Sequence, residues 1–223
     1  NSITDNEFAI RVARGGSNYL NVTGNTVMHN RGYGIGLTGF GGASNYATVS
    51  RNLIVNNSDG IALGQYSNYH TIMQNNVSRN GYGFYIEYSM QNTIWGNNIS
   101  DNDQQVYVSA GSVNNWDGGY LAGGNFWSDY TGADADGDAI GDEPYVINPD
   151  NQDRYPLMQH SGLVCDLNGD GQVDVVDMAM ASVAFGSYLG HPRWNPDADL
   201  DGNDRVDIKD IARIAKDFGK TVG

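Results

Sequence analysis

Cysteine occurs once, at Cys165, so no disulfide can form within the chain. Proline is scarce, and none of the five precedes Pro144. A long proline-free stretch is what uninterrupted strand ladders require. Lysine is confined to Lys209, Lys216 and Lys220. Without clustered cations no phosphate-binding surface forms, which excludes nucleic acid as a partner. No run of 18 apolar residues occurs, which excludes a membrane-spanning helix. No basic and apolar leader opens the sequence, so a secreted form is expected to have lost one or to be described without it.

What is present is acid, and it is local. The 223 residues carry 26 acids against 12 bases, a net charge of −14. Residues 1–128 hold a net −2, residues 129–165 a net −7 and residues 166–223 a net −5. Charge gathered in this way points to sites rather than to a solvated acidic surface.

Residues 1–128 repeat. NSITDN, NTVMHN, NLIVNN, NNVSRN and NNISDN start at Asn1, Asn25, Asn52, Asn75 and Asn97, with spacings of 24, 27, 23 and 22. Their third position is aliphatic (Ile3, Val27, Ile54, Val77, Ile99) and their sixth is Asn. Alternating runs such as Ile35-Gly-Leu37, Ile61-Ala-Leu63 and Phe84-Tyr-Ile86 follow, and Val22, Val49, Ile72 and Ile94 precede the next motif. Each unit therefore reads as three short strands separated by Asn/Gly turns. No unit buries its own apolar face, so units must stack into about five coils, with aliphatic columns inside and Asn ladders at turns that tolerate left-handed backbone. Gly32, Gly34, Gly60, Gly81 and Gly83 are expected in those turns. These repeats resemble right-handed parallel β-helix proteins, especially the short-coil type of the nitrous-oxide-reductase maturation family and of archaeal surface proteins. The resemblance implies a mainly β fold and says little about function.

Catalysis finds little support. Asp5 and Asp101 share a coil position four coils apart, and Asp59 and Glu87 are expected on different faces. A paired-carboxylate mechanism needs its acids about 5–10 Å apart. Tyr19, Tyr46 and Tyr69 follow Asn in three successive coils and are expected to stack as a ladder on a sheet edge. Asn21, Asn56, Asn76 and Asn98 fit the N-glycosylation pattern, which would make the chain a glycoprotein.

Residues 129–164 read as a cap and linker. Asp134, Asp136, Asp138 and Asp142 stand at relative positions 1, 3, 5 and 9, with the Ile140 carbonyl at 7, a spacing that converges on one hard cation. Trp116, Phe126, Trp127 and Tyr130 are expected to shield the last coil from water.

Residues 165–223 contain two twelve-residue loops 33 residues apart. The first places Asp166, Asn168, Asp170, Gln172, Asp174 and Asp177 at positions 1, 3, 5, 7, 9 and 12; the second places Asp199, Asp201, Asn203, Arg205, Asp207 and Asp210 there. Position 7 offers a backbone carbonyl and the others side-chain oxygens, which is the pattern of an EF-hand-type calcium loop. Each loop leads into an amphipathic helix, the first burying Met178, Ala181 and Phe185, the second Ile211, Ile214, Ala215 and Phe218. Gly186 and Gly219 stop them. Two half EF-hands without a preceding helix resemble a type I dockerin. That resemblance implies a small all-α domain, two Ca2+ ions, a cohesin-like partner, and partner contacts at Val175, Val176, Ile208 and Lys209; the loop at 134–142 is expected to hold a third Ca2+.

The resulting expectation is a secreted, non-catalytic, extracellular or cell-surface assembly protein. In it a β-helical rod (1–128), a cap (129–164) and a dockerin (165–223) join to other proteins. Because Asn1 aligns in mid-repeat, either coils precede it or copies stack into filaments. The alternative is a carbohydrate-binding or polysaccharide-degrading subunit of a cellulosome-like complex, with glycans as partners. Soft-metal chemistry is disfavoured because no Cys or Met/His cluster marks the coils.

Overall fold

A computed structural model describes all residues except 13–18, 39–45, 65, 159–164, 168–171, 189, 196–197, 201–204 and 221–223. The chain divides into two compact units, Asn1–Ser161 and Gly162–Gly223. The first coil of the first unit is β1 (Ser2–Thr4), β2 (Ile10–Val12) and β3 (Asn21–Thr23). The second is β4 (Thr26–Met28), β5 (Tyr33–Thr38) and β6 (Thr48–Ser50), and the third β7 (Leu53–Val55), β8 (Asp59–Gly64) and β9 (Thr71–Met73). The fourth is β10 (Asn76–Ser78), β11 (Tyr82–Glu87) and β12 (Thr93–Trp95). A fifth supplies only β13 (Asn98–Ser100) and β14 (Gln104–Val108), followed by β15 (Phe126–Trp127). About five coils were expected; four are complete, and the fifth lacks a strand in the third sheet because residues 113–125 leave the repeat. The parallel sheets run β1-β4-β7-β10-β13-β15, β2-β5-β8-β11-β14 and β3-β6-β9-β12.

The register stacks like upon like. Ile3, Val27, Ile54, Val77 and Ile99 form one column, which ends on Trp127. Trp116 and Trp127 are buried in the same core, and Trp116 meets Phe84 edge-on at 5.9 Å. The antiparallel hairpin of β16 (Tyr145–Asn148) and β17 (Asn151–Asp153) completes the cap. Tyr145 stacks on Trp127 at 4.2 Å.

The corners separate two duties, the left-handed bend and the ladder, that were expected of the same asparagines. A left-handed residue makes the bend: Asp5, His29, Asn56, Arg79 and Asp101 at one corner, and Tyr19, Tyr46, Tyr69 and Gln91 at another, all with φ between 54° and 61°. The next residue but for the first of the second series is a ladder member, and at the first corner it is always Asn. Ladder asparagines accept through Oδ1 from the ladder residue of the coil before, and Asn52, Asn57, Asn75, Asn80, Asn97, Asn102, Asn114 and Asn125 accept from both its backbone N–H and its side-chain amide. Asn75 Oδ1 accepts from Asn52 N at 3.0 Å and Asn52 Nδ2 at 2.9 Å, and Asn75 in turn donates to Asn97 Oδ1. Buried backbone polar groups at the bends are thereby satisfied coil after coil.

The strand glycines also differ from expectation. Gly34, Gly60 and Gly83 lie within β5, β8 and β11, at none of the positive-φ positions. They are required for space. A Cβ on Gly60 would lie 2.6 Å from both the Gly83 carbonyl and Val77 Cγ1. Gly60→Ala is therefore expected to destabilise the first unit by about 2–3 kcal/mol in urea unfolding, because the clash is with backbone and core. A loss below about 0.5 kcal/mol would show that the coils separate freely.

The second unit is built on α1 (Val175–Ala184) and α2 (Ile208–Asp217), whose cores meet through Ala181, Ala184 and Ile214. Phe185 and Phe218, expected inside, are exposed. Each is a C-cap with ψ near 130°, so it leaves the helical phase before its side chain can turn inward. Ala215 is exposed as well.

Candidate functional site

The two loops of the second unit are related by the same 33-residue offset in three dimensions. Val173 N donates to Lys220 O at 2.9 Å, and Gly219 N to Val173 O at 2.7 Å. Their counterparts are Val206 N to Ser187 O at 3.1 Å and Gly186 N to Val206 O at 2.8 Å. Each loop is thus tied to the end of the other loop's helix. The closing acids are fully buried: Asp177 accepts from Leu167 N and Asp174 N, and Asp210 from Leu200 N and Asp207 N, all at 2.7–2.8 Å. Asp174 and Asp207 cap the helices through Oδ1, accepting from Val176 N and Lys209 N. Of the expected ligands, Asp166, Gln172, Asp174, Asp177, Asp199, Arg205, Asp207 and Asp210 are described; Asn168, Asp170, Asp201 and Asn203 lie outside the described residues. Val175, Val176, Ile208 and Lys209 are exposed on the first turns, so helix packing does not account for them.

In the first unit, Asp134, Asp136 and Asp138 bring one carboxylate oxygen each within 4.8 Å of one another. Asp134 is held by Gly137 N, Asp138 N and Ala139 N. The Asp138 N–H draws the Asp136 carboxyl down, but Asp138, burial, Asp142 and Asp134 together raise it. Such mutual repulsion is what a bound cation would relieve. Asp142, expected at position 9, is not in this group; its Oδ2 accepts from Ala135 N at 2.8 Å and closes the loop instead. Ile140 forms an isolated bridge with Leu157.

Asp59 and Glu87, expected on different faces, flank one tyrosine: burial, Glu87, Tyr107 and Asp59 all raise the Tyr85 hydroxyl. Burial does not alternate through Gly60 and Gly83, so Asp59 and Tyr82 stay partly exposed, and Tyr82 meets the Tyr85 ring at 5.4 Å. Tyr19, Tyr46 and Tyr69 stack at 5.4 and 5.3 Å, their planes within 14°, so inner ring faces are covered. Among the glycosylation sequons, Asn21 and Asn56 are exposed, whereas Ser78 and Ser100 of the Asn76 and Asn98 sequons are buried.

Cap residues were the functional-looking group that sequence spacing did not reveal. Asp117 forms a bidentate pair with Arg154 at 2.7 and 2.8 Å. Asp153 is fully buried and accepts from Asn125 N, Asn125 Nδ2, Trp127 Nε1 and Tyr155 N. Burial pushes its carboxyl up to about 6 against those donors. A folded-state pKa above the unfolded value means stability that is complete below about pH 4 and lost as pH rises through about 6. Thermal melts of the chain and of Asp153→Asn between pH 4 and 7 should differ by that falling limb; parallel curves would reject it.

Residues 1–132, more than half of the chain, match the family described as periplasmic copper-binding protein (NosD). A search of curated proteins finds no match. Copper favours imidazole, thiolate and thioether donors. Here His29 sits at an exposed corner, and His70 is buried in a ladder, its Nδ1 accepting from Ala47 N at 3.0 Å. Met28 and Met73 stand on strands of different sheets, and Cys165 is buried in the other unit, donating to Asp217. Among the described residues these donors form no copper site. The one described group of three His, Cys, Asp or Glu residues is Asp134, Asp136 and Asp138, a set of hard oxygens suited to calcium. No described helix is long and apolar enough to cross a membrane.

Proposed function

The chain belongs to the family of periplasmic copper-binding proteins (NosD) through its parallel β-helix. From that premise we propose that it is an extracytoplasmic, non-catalytic structural protein: a β-helical rod joined to other extracellular proteins by a calcium-dependent, dockerin-like second unit. One observation carries the reading. The two acidic loops are exchanged about a 33-residue offset, each closed by a buried Asp and tied to the other's helix. That arrangement couples both loops, so cations would order one surface rather than two independent turns. When bound, calcium would supply the positive charge that the acids of each loop lack, Asp166, Asp174 and Asp177 in one and Asp199, Asp207 and Asp210 in the other, although among the described residues their carboxylates do not draw together into one group as those at 134–138 do. A third ion fits Asp134, Asp136 and Asp138. The family's copper association is not extended to this chain, because among the described residues its soft donors do not converge.

Val175, Val176 and Ile208 are apolar side chains exposed beside the loops, and Lys209 adds a cation; this is where a cohesin-like domain would dock. Surface plasmon resonance against a panel of purified cohesin domains, with calcium and with EGTA, tests the reading. Calcium-dependent binding that Val176→Asp weakens at least tenfold is expected. Binding indifferent to chelator, or none across the panel, would overturn the partner assignment.

A further inference from the structure

Two asparagines of the chain are followed by glycine, Asn80 and Asn168. Asn168 lies outside the described residues, whereas Asn80 and Gly81 form the turn between β10 and β11. An Asn-Gly pair is unusually prone to lose ammonia, because no Cβ shields the glycine nitrogen and its backbone turns freely. The Gly81 N–H gives up its proton, the nitrogen bonds to Asn80 Cγ, and the side-chain nitrogen leaves as ammonia. Water then opens the five-membered imide at either carbonyl, which leaves aspartate or isoaspartate at position 80. The step balances with water as its sole co-reactant.

The architecture demands both members of the pair. Asn80 is a buried ladder residue. Gly81 stands where a Cβ would lie 2.6 Å from the Ser58 carbonyl oxygen of the preceding coil. The ladder therefore selects the asparagine and coil clearance selects the glycine, so a reactive pair arises from two separate packing needs.

The closed coil holds every group the reaction needs. Asn80 Oδ1 accepts from Asn57 N at 2.9 Å and Asn57 Nδ2 at 3.0 Å. Asn80 Nδ2, the leaving nitrogen, donates to Ile54 O at 3.1 Å and to Ser78 O and Asn102 Oδ1 at 3.0 Å. The attacking nitrogen is engaged as well, since Gly81 N donates to Asn57 O at 3.2 Å. To bring Asn80 Cγ to that nitrogen the side chain must turn out of the ladder, and these bonds to the coils on both sides break together.

We propose that Asn80–Gly81 is a spontaneous modification site, silenced while the ladder is closed and released when the coils around it open locally. The change runs one way. A carboxylate at position 80 still accepts from Asn57, but it has no N–H for the Ile54 and Ser78 carbonyls or for Asn102 Oδ1, and it faces those acceptors without a donor between them. Isoaspartate also adds one carbon to the backbone just before β11, which pulls that strand out of register with its neighbours. A rod modified while open does not close again, so the site records opening. It lies in the first unit alone and is independent of the calcium-dependent connector.

Peptide mapping by mass spectrometry provides the test, because it separates position 80 from position 168. The full chain is held in mildly alkaline, calcium-containing buffer with and without unfolding urea, beside a synthetic peptide of residues 78–84 as the unguarded standard. Amide loss at Asn80 should be slower in the folded chain than in the peptide by about a hundredfold or more, and in urea the two should agree. Asn102→Ala removes the acceptor on one side and should speed the folded-state reaction about fivefold or more, with no change in urea. When chains partly modified in urea are returned to buffer, the protease-resistant fraction of residues 1–158 should be depleted of the modified form. A folded chain that reacts as fast as the peptide overturns the proposal. So does a folded-state rate that Asn102→Ala leaves unchanged, or a resistant fraction that keeps modified chains in full proportion.

Discussion

Replacing Asn75 with alanine is expected to cost about 4 kcal/mol in equilibrium unfolding of the first unit, several times the cost of Asn76→Ala one residue away. The difference lies in what each amide holds. Asn75 is buried; its Oδ1 accepts from Asn52 N and Nδ2, and its Nδ2 donates to Val49 O, Met73 O and Asn97 Oδ1. Truncation to a methyl takes from the buried Asn52 N–H its acceptor at 3.0 Å, and takes one partner each from Asn52 Nδ2, Asn97 Oδ1 and the Val49 and Met73 carbonyls. A buried unpaired polar group costs about 1–3 kcal/mol, and partial relaxation keeps the sum below the simple total. Asn76 is half-buried on β10 and holds no such position in a ladder. Urea denaturation of the two variants settles the point, and equal losses would mean that the ladders are ornamental to a core held by aliphatic packing.

Chelating calcium with EGTA is expected to abolish the helical far-UV signal of α1 and α2 and to expose residues 165–220 to protease, while the β signal and protease resistance of residues 1–158 persist. The second unit's core is small. Its fully buried apolar members are Cys165, Leu167, Val173, Val206, Ile214 and three alanines, with no disulfide to assist them. Units of this size generally need a staple of some kind. Asp177 and Asp210 make the need sharper, because each is a fully buried acid that closes its loop, the place from which a bound cation would be held. Metal binding in such a unit is folding free energy. The first unit has a continuous core from Val22 to Trp127 and hydrogen-bonded ladders that no metal completes. Retention of helical signal and protease resistance in EGTA would refute metal-dependent folding and, with it, the proposed connector.

Those two expectations rest on parts of the molecule that differ in how legible they are from sequence. The coil repeat is legible because every coil meets the same demand: an aliphatic residue to fill the column and an amide to carry the ladder. Ile3, Val27, Ile54, Val77 and Ile99 therefore recur at one position and align in register. The left-handed seat before each ladder residue is not legible by composition, since Asp5, His29, Asn56, Arg79 and Asp101 share it with no common chemistry. Gly60 is legible as a glycine and misleading as a turn, because clearance from the next coil, rather than φ, selects it. In the second unit, helical periodicity carries Phe185 and Phe218 inward one residue past the point where the backbone has already left the helix. The cap is least legible. Asp117 pairs with Arg154 and Asn125 with Asp153, partners 37 and 28 residues apart that occur once and follow no period.

Three of the ladders among the described residues run the same way. One passes from Asn1 through Asn25, Asn52, Asn75, Asn97 and Asn125 to Asp153; a second from Asn6 through Asn30, Asn57, Asn80 and Asn102 to Gln105; a third from Ala47 through His70, Asn92 and Asn114 to Asn151. An amide in the series is a repeating word, since it receives on one side and gives on the other. Asp153 is the full stop: a carboxylate only receives, so the sentence ends there. Whole coils spliced in ahead of it need obey only the corner grammar, and each would add about 4.8 Å. The rod can thus act as a ruler whose length evolution resets by copying coils, with no revision of its cap.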